Sequence, residues 1–228
     1  MKREPIKTSQ FVRPSVMSPL LAAIFAITLF AVPSYAAEQP AGSKEKVVFE
    51  DNFKGKLADG WSWLREDPQA WRIEDDALEI RVQPGLAKSV KNALLRDAPD
   101  RSRGKFAIEV TITSNDKPTR QYEQGGITWY HDGRPVFKLV KELIDGKPYI
   151  IPGRKPMPDK TVQLRLIVTS DHWTAEYRPS GKGDYLTAAE GKLPSPGKDQ
   201  ISIQCYNGPP KAEHWIRFDD FRVLQLPE

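Results

Sequence analysis

Apolar residues recur along this chain with a period of two rather than 3.6, in short runs separated by Gly, Pro, Asn and Asp. The clearest run is Gln124 to Glu142, QGGITWYHDGRPVFKLVKE. Ile127 and Trp129 fall in one phase, with Gln124, Thr128 and Tyr130 in the other; after the turn, Phe137 and Leu139 oppose Lys138 and Glu142. His131-Asp132-Gly133-Arg134 is the kind of Gly-containing loop that closes a β-hairpin. One face of this hairpin is apolar, and the other carries amide, phenol, ammonium and carboxylate groups.

The same reading predicts strands over Val47 to Phe53, Trp61 to Glu66, a hairpin from Ala70 to Val82 turning at Asp75-Asp76, and a strand over Lys105 to Thr113. Beyond the central hairpin it predicts a short strand Pro148 to Ile151, a hairpin of Thr161 to Val168 with Trp173 to Arg178, and strands Tyr185 to Glu190, Ile201 to Tyr206 and Trp215 to Leu226. Gln83 to Asp100 shows no clear period, and the Pro- and Lys-rich run to Lys160 reads as loop. No long stretch carries a capped helical period, so the expected fold is all-β, an antiparallel two-sheet sandwich or jelly roll.

The first 36 residues change the charge picture. A basic start, an apolar run from Leu20 to Val32 and Ser34-Tyr35-Ala36 read as a signal peptide cleaved after Ala36. The run is shorter than the roughly 20 residues of a membrane-spanning helix, so an exported protein, periplasmic or extracellular, with no membrane anchor after cleavage is expected. Lys2, Arg3, Lys7, Arg13 and Glu4 leave with it, taking the formal charge from +4 to +1. With no basic cluster remaining, nucleic acid is not an expected partner. Residues 37–46 read as a flexible lead-in and 47–228 as one domain. Cys205 is the single cysteine, so no internal disulfide forms, and its phase with Ile201 and Ile203 makes it a small buried hydrophobe.

The series FEDNFKGKLADGWSWLREDPQAWRIEDDALEIRVQPG, NALLR, EQGGITWYHDGRPVFKLVKE, VQLRLIV and HWIRFDDFRV resembles, in order, the concanavalin A-like β-sandwich at the C-terminus of β-xylosidases and arabinofuranosidases and its free-standing relatives. The resemblance covers about Val47 to Leu226 and implies an accessory or carbohydrate-binding role, because the propeller that performs hydrolysis in those enzymes has no counterpart here. FKGKLADGW with WRIEDDALEI also resembles the opening of secreted sandwich domains that include hydrolases of 3-keto-disaccharides, over the N-terminal third alone.

Glucanases of this fold carry Glu-x-Asp-x-x-Glu on one strand, and no predicted strand of this chain carries it, the spacing Glu74-Asp76-Glu79 being broken by the Asp75-Asp76 turn. Glu109 and Glu142, on the polar phases of two strands, are the candidate acid and base if the strands adjoin. For sugar binding, polar phases supply Gln124, Thr128, Tyr130, Lys138, Glu142, Arg165, Gln204 and Tyr206, with Trp63 and Arg65 at an edge in phase with Trp61. Trp71, Trp129 and Trp215 read as core. Glu50 and Asp51 near the start and Asp219 and Asp220 near the end are candidates for a structural calcium if the terminal strands pair. The three histidines lack zinc spacing. Glycan is the expected partner, with a protein partner as the alternative.

Overall fold

A computed structural model describes residues 44–180 and 182–227, which belong to one compact unit. The expected signal peptide and residues 37–43 of the lead-in lie outside the described residues. Fifteen strands follow in order: β1 (Lys46–Asp51), β2 (Ser62–Leu64), β3 (Trp71–Glu74), β4 (Ala77–Arg81), β5 (Ala93–Asp97), β6 (Lys105–Ser114), β7 (Gln124–His131), β8 (Arg134–Ile144), β9 (Lys147–Ile151), β10 (Lys155–Pro156), β11 (Thr161–Val168), β12 (His172–Pro179), β13 (Leu186–Lys192), β14 (Asp199–Tyr206) and β15 (Trp215–Leu226). The described helices are single 3-10 turns, at Ala87–Ser89 and Arg101–Arg103. Among the described residues no helix is long and apolar enough to cross a membrane.

The strands make two antiparallel sheets. The first runs β13-β12-β11-β6-β15-β4-β3, with β1 also pairing β15; the second runs β10-β9-β8-β7-β14-β5-β2. Between them, Ile108, Val110 and Ile112 of β6 and Leu164 and Leu166 of β11 meet Ile127, Trp129, Leu139, Ile201 and Ile203 of the second sheet. Period-two alternation places these side chains inward, which leaves the intervening polar residues on two outer faces. Trp129 is fully buried as expected; Trp71 and Trp215 are half-exposed at the margin, Trp215 lying beneath the Arg72 guanidinium at 4.5 Å. Cys205 is buried, and burial pushes its thiol pKa up.

β5 comes out of the aperiodic Gln83 to Asp100 segment. Leu94 enters the main core while Ala93 and Leu95 join a second apolar cluster on the outer face, so both phases are apolar and alternation vanishes. In β7, Gly126 has φ +152°, and a Cβ there would sit 2.4 Å from the Leu139 carbonyl oxygen. Glycine is therefore required where β7 lies against β8.

One end of the sandwich is closed by Lys141, in the inward phase of Leu139 but near the end of β8. Its ammonium donates to the carbonyls of Asp159 and, at 3.0 Å, Lys160. Burial lowers its pKa to about 8, against the opposing pull of Asp159. A lysine whose folded pKa lies below its unfolded value binds more protons unfolded, so stability rises with pH through this window. Between about pH 8 and about pH 10 the expected gain is on the order of 2 kcal/mol, ending where unfolded-chain tyrosines begin to ionise. Urea denaturation of the wild type across that range should show this rise, and Lys141→Met should flatten it.

Candidate functional site

The structure gathers most of the sequence-named binding residues on the outer face of the second sheet. Gln124 sits opposite Glu142, Thr128 opposite Lys138, and Tyr206 opposite Gln124. The Lys138 ammonium donates to Gln124 Oε1 at 2.7 Å and Glu142 Oε2 at 2.9 Å, and Gln124 Nε2 donates to Glu142 Oε1 at 3.1 Å. Tyr130 Oη donates to Gln204 Oε1 at 3.0 Å.

This face is a covered polar layer rather than the open groove expected from the sequence. Val90 packs with Ala93 and Leu95 over Tyr130 and Tyr206, flanked by Leu64 and Ala87. Tyr130 is 1% exposed and Gln204 fully buried. Burial, the Glu142 charge and Tyr130 together push the Tyr206 phenol up to about 12, and burial raises Tyr130 as well. Arg65 belongs to the cover: in a left-handed conformation, φ 54°, it donates Nε to the Val90 carbonyl at 2.6 Å. Trp63 does lie on an edge strand, β2, but faces the core and packs on Trp71 with ring centroids 4.9 Å apart, while Arg65, beyond the end of β2, turns away from it.

Two further sequence expectations are corrected. Glu109 stands on β6 of the first sheet and Glu142 on β8 of the second, each in the outward phase, so they face opposite sides of the sandwich and form no acid–base pair. The terminal strands do pair, β1 with β15, yet the four carboxylates named for calcium do not gather. Asp51 is filled by donors: Phe53 N at 2.8 Å on Oδ1, with Ala58 N and Trp61 Nε1 each at 2.9 Å on Oδ2. Asp219 Oδ1 accepts from Asp220 N at 2.8 Å, with burial as the main cause raising its pKa. Among the described residues no group of three or more His, Cys, Asp or Glu side chains is placed to hold a metal ion. Glu50, Asp51 and Asp220 do share a cleft with cationic side chains.

That cleft lies on the outer face of the first sheet. Pairing across β1, β15, β6, β11 and β12 lines up Glu50, Arg222, Glu109, Arg165 and Glu176, a row of alternating charge. The neighbouring row holds Asp219, Thr111, Gln163 and Arg178. Cross-strand neighbours this close interact directly. Glu109, buried at the centre, accepts from Tyr185 Oη at 3.0 Å on Oε1 and from Arg222 Nη2 at 2.8 Å on Oε2, with Arg165 Nε 3.4 Å away. Arg178 donates Nε to Gln163 Oε1 at 2.6 Å. The Tyr185 ring has the Arg178 and Arg165 guanidinium carbons 4.5 and 5.0 Å from its centroid. Burial, followed by the charge and hydrogen bond of Glu109, raises the Tyr185 pKa.

Two adjoining hollows result, sharing Arg178 and Arg222 as walls. One, of about 470 Å³, runs along Glu50, Thr111, Gln163 and Asp220; the other, of about 440 Å³, along Glu45, Glu109, Arg165 and Tyr185. Each falls within the size range of small-molecule sites. Of the sequence-named candidates, Arg165 and Glu109 line the second hollow; Gln163, Arg178, Tyr185 and Arg222 were not foreseen there.

No family model matches the chain, and no curated protein does. Solved structures share its fold. The GH43 BlXynB protein from Bacillus licheniformis superposes with a TM-score of 0.64 at 17% identity, over 77% of this chain and 39% of that one. A xylan beta-1,4-xylosidase from Bacillus halodurans C-125 does so at 0.58 and 15%, over 82% and 41%. A third structure, from work on endo-acting O-glycanases of the human gut microbiota that initiate mucin breakdown, matches at 0.51 and 13%, over 79% of this chain and all of that one. The chain thus spans about two fifths of the first two proteins. At these identities the likeness shows a common two-sheet antiparallel β-sandwich fold.

Proposed function

We propose that this chain is an exported β-sandwich that binds a glycan in the cleft on the outer face of its first sheet, without cleaving it. The observation that carries this reading is the open, polar floor of that cleft. Carboxylate, guanidinium and amide groups of Glu109, Asp220, Arg178, Arg222 and Gln163 stand side by side on adjacent strands. Planar polar groups at strand spacing suit the vicinal hydroxyls of a sugar, and a rigid sheet presents them without an ordering cost. Sandwich neighbours among glycan-active proteins favour the same ligand class, and the basic, apolar and small-residue pattern of residues 1–36 favours export.

Binding without chemistry is favoured by how the cleft's reactive groups are held. Glu109 is buried in the floor, and each of its oxygens is tied by a hydrogen bond to Tyr185 or Arg222, which holds it away from a glycosidic oxygen in the cleft. Tyr185 is kept protonated, its hydroxyl donating to Glu109, which is the wrong state for a base. Glycan-array binding combined with an assay for released reducing ends tests the reading. Binding with no release is expected. Release of reducing ends would make the chain a glycoside hydrolase, and absence of glycan binding together with a co-purifying protein would make it an interaction domain.

A further inference from the structure

We infer that the hollow beside Tyr185 selects acidic glycans, taking the carboxylate of a uronic acid where Glu45 now sits. The inference rests on the glycan-binding reading of this same cleft and names its substrate class.

Three guanidinium groups, from Arg165, Arg178 and Arg222, line this one hollow. Glu109 beneath them is 3% exposed and locked between Tyr185 and Arg222, so it belongs to the floor. Glu45 differs. It precedes β1, is about half exposed, and reaches from the lead-in to place Oε1 2.5 Å from Arg165 Nη2. It therefore shows what the hollow accepts at that point: a planar carboxylate on a short arm, meeting a guanidinium that is itself largely buried, at 15% exposure.

The rest of the hollow is arranged to hold those cations still. Tyr185 puts its ring against Arg165 and Arg178 and its hydroxyl on Glu109, while Gln163 holds Nε of Arg178. Nε of Arg165 and Nε of Arg222 are buried without a hydrogen-bond partner among the described residues, so the cations are less than fully answered by the protein. The lining acids of this hollow are Glu45, Glu109 and Asp184, facing the three arginines, with Glu176 at its edge 4.0 Å from Arg165 Nε. Moving Glu45 aside takes a carboxylate from Arg165, and a uronate carboxylate restores it with the same geometry. A neutral sugar would leave Arg165 paired to Glu45 and gain nothing there. The half-exposed Glu45 arm is the cheap part of that pair to move, whereas the buried floor beneath is not.

Titration calorimetry of the whole protein with tetragalacturonate, and with the same oligosaccharide fully methyl-esterified, tests the inference. The ester keeps the sugar's shape and removes its charge. The acid is expected to bind at least tenfold more tightly than the ester, and its affinity to fall as salt is raised. Glu45→Gln, an exposed change that leaves the floor intact, is expected to tighten the acid several-fold and to widen its advantage over the ester. Arg165→Gln should abolish the preference, with Arg178→Gln as a second variant if the first does not fold. Equal affinity for acid and ester, or no response to Glu45→Gln, overturns the inference. Tight binding of xylotetraose with no preference for the acid would overturn it while leaving the glycan reading intact, and failure of every sugar to bind would overturn both.

Discussion

Replacing Arg101 by methionine is expected to lower the melting temperature by roughly 10 °C. Arg101 is an arginine with its side chain 1% exposed, paired through Nε at 2.8 Å to Asp199, itself 6% exposed. Its remaining nitrogens donate to the carbonyls of Thr169 and Ser170 in the β11–β12 turn and of Pro194 in the connection before β14. Asp199 also takes the imidazole of His131 at 2.7 Å, from the turn of the central hairpin. One side chain thus ties turns from both sheets at a common end of the sandwich. Methionine fills similar volume but leaves a buried carboxylate without its cation and three carbonyls short of a donor, a loss of about 4 kcal/mol. The double variant Arg101→Met, Asp199→Leu should recover part of that loss, because the uncompensated charge goes too. A drop of less than about 1 kcal/mol in the single variant, by urea denaturation, would show that the pair is not structural.

The fold was legible in the sequence where alternation was unbroken. β3 and β4, β6, the β7–β8 hairpin, β11 and β12 follow the expected strands closely, since each has one face on the core and the other polar. The composition of the site was legible, but its location was not, for two physical reasons. Period two says that Gln124 and Arg165 both point outward, but a sandwich has two outsides, and only strand pairing assigns each residue to one. The second reason is the irregularity in β15 between Asp219 and Arg222, with Asp220 at φ 49°. Counting by twos from the core residues Ile216 and Phe218 puts Phe221 outward and Arg222 inward, whereas the bulge reverses the phase, burying Phe221 in the core and placing Arg222 beside Glu109. Tyr185, expected as the first residue of its strand, lies just before β13, and the covering of Tyr130 and Tyr206 depends on Val90, from a segment with no period of its own.

Parallel substitutions of the two outward glutamates discriminate between the faces. Glu109→Gln keeps the side chain's shape, but its amide nitrogen must face either Arg222, which only donates, or the Tyr185 hydroxyl, which would have to turn from donor to acceptor with Arg165 close by. That rearrangement, together with loss of the charge between two guanidinium groups, should lower stability by about 2 kcal/mol and misalign the arginines that line the cleft. Glycan affinity is expected to fall at least tenfold. Glu142→Gln meets the same conflict on the other sheet, where Lys138 and Gln124 both donate to its oxygens, so a stability loss of comparable order, about 1 to 2 kcal/mol, is expected. That layer is covered and faces away from the cleft, so glycan affinity should stay at the wild-type level. Two variants with matched loss of stability and unequal loss of binding separate folding from function. The reverse pattern, with affinity lost in Glu142→Gln and kept in Glu109→Gln, would move the binding site to the second sheet and require the segment around Val90 to open.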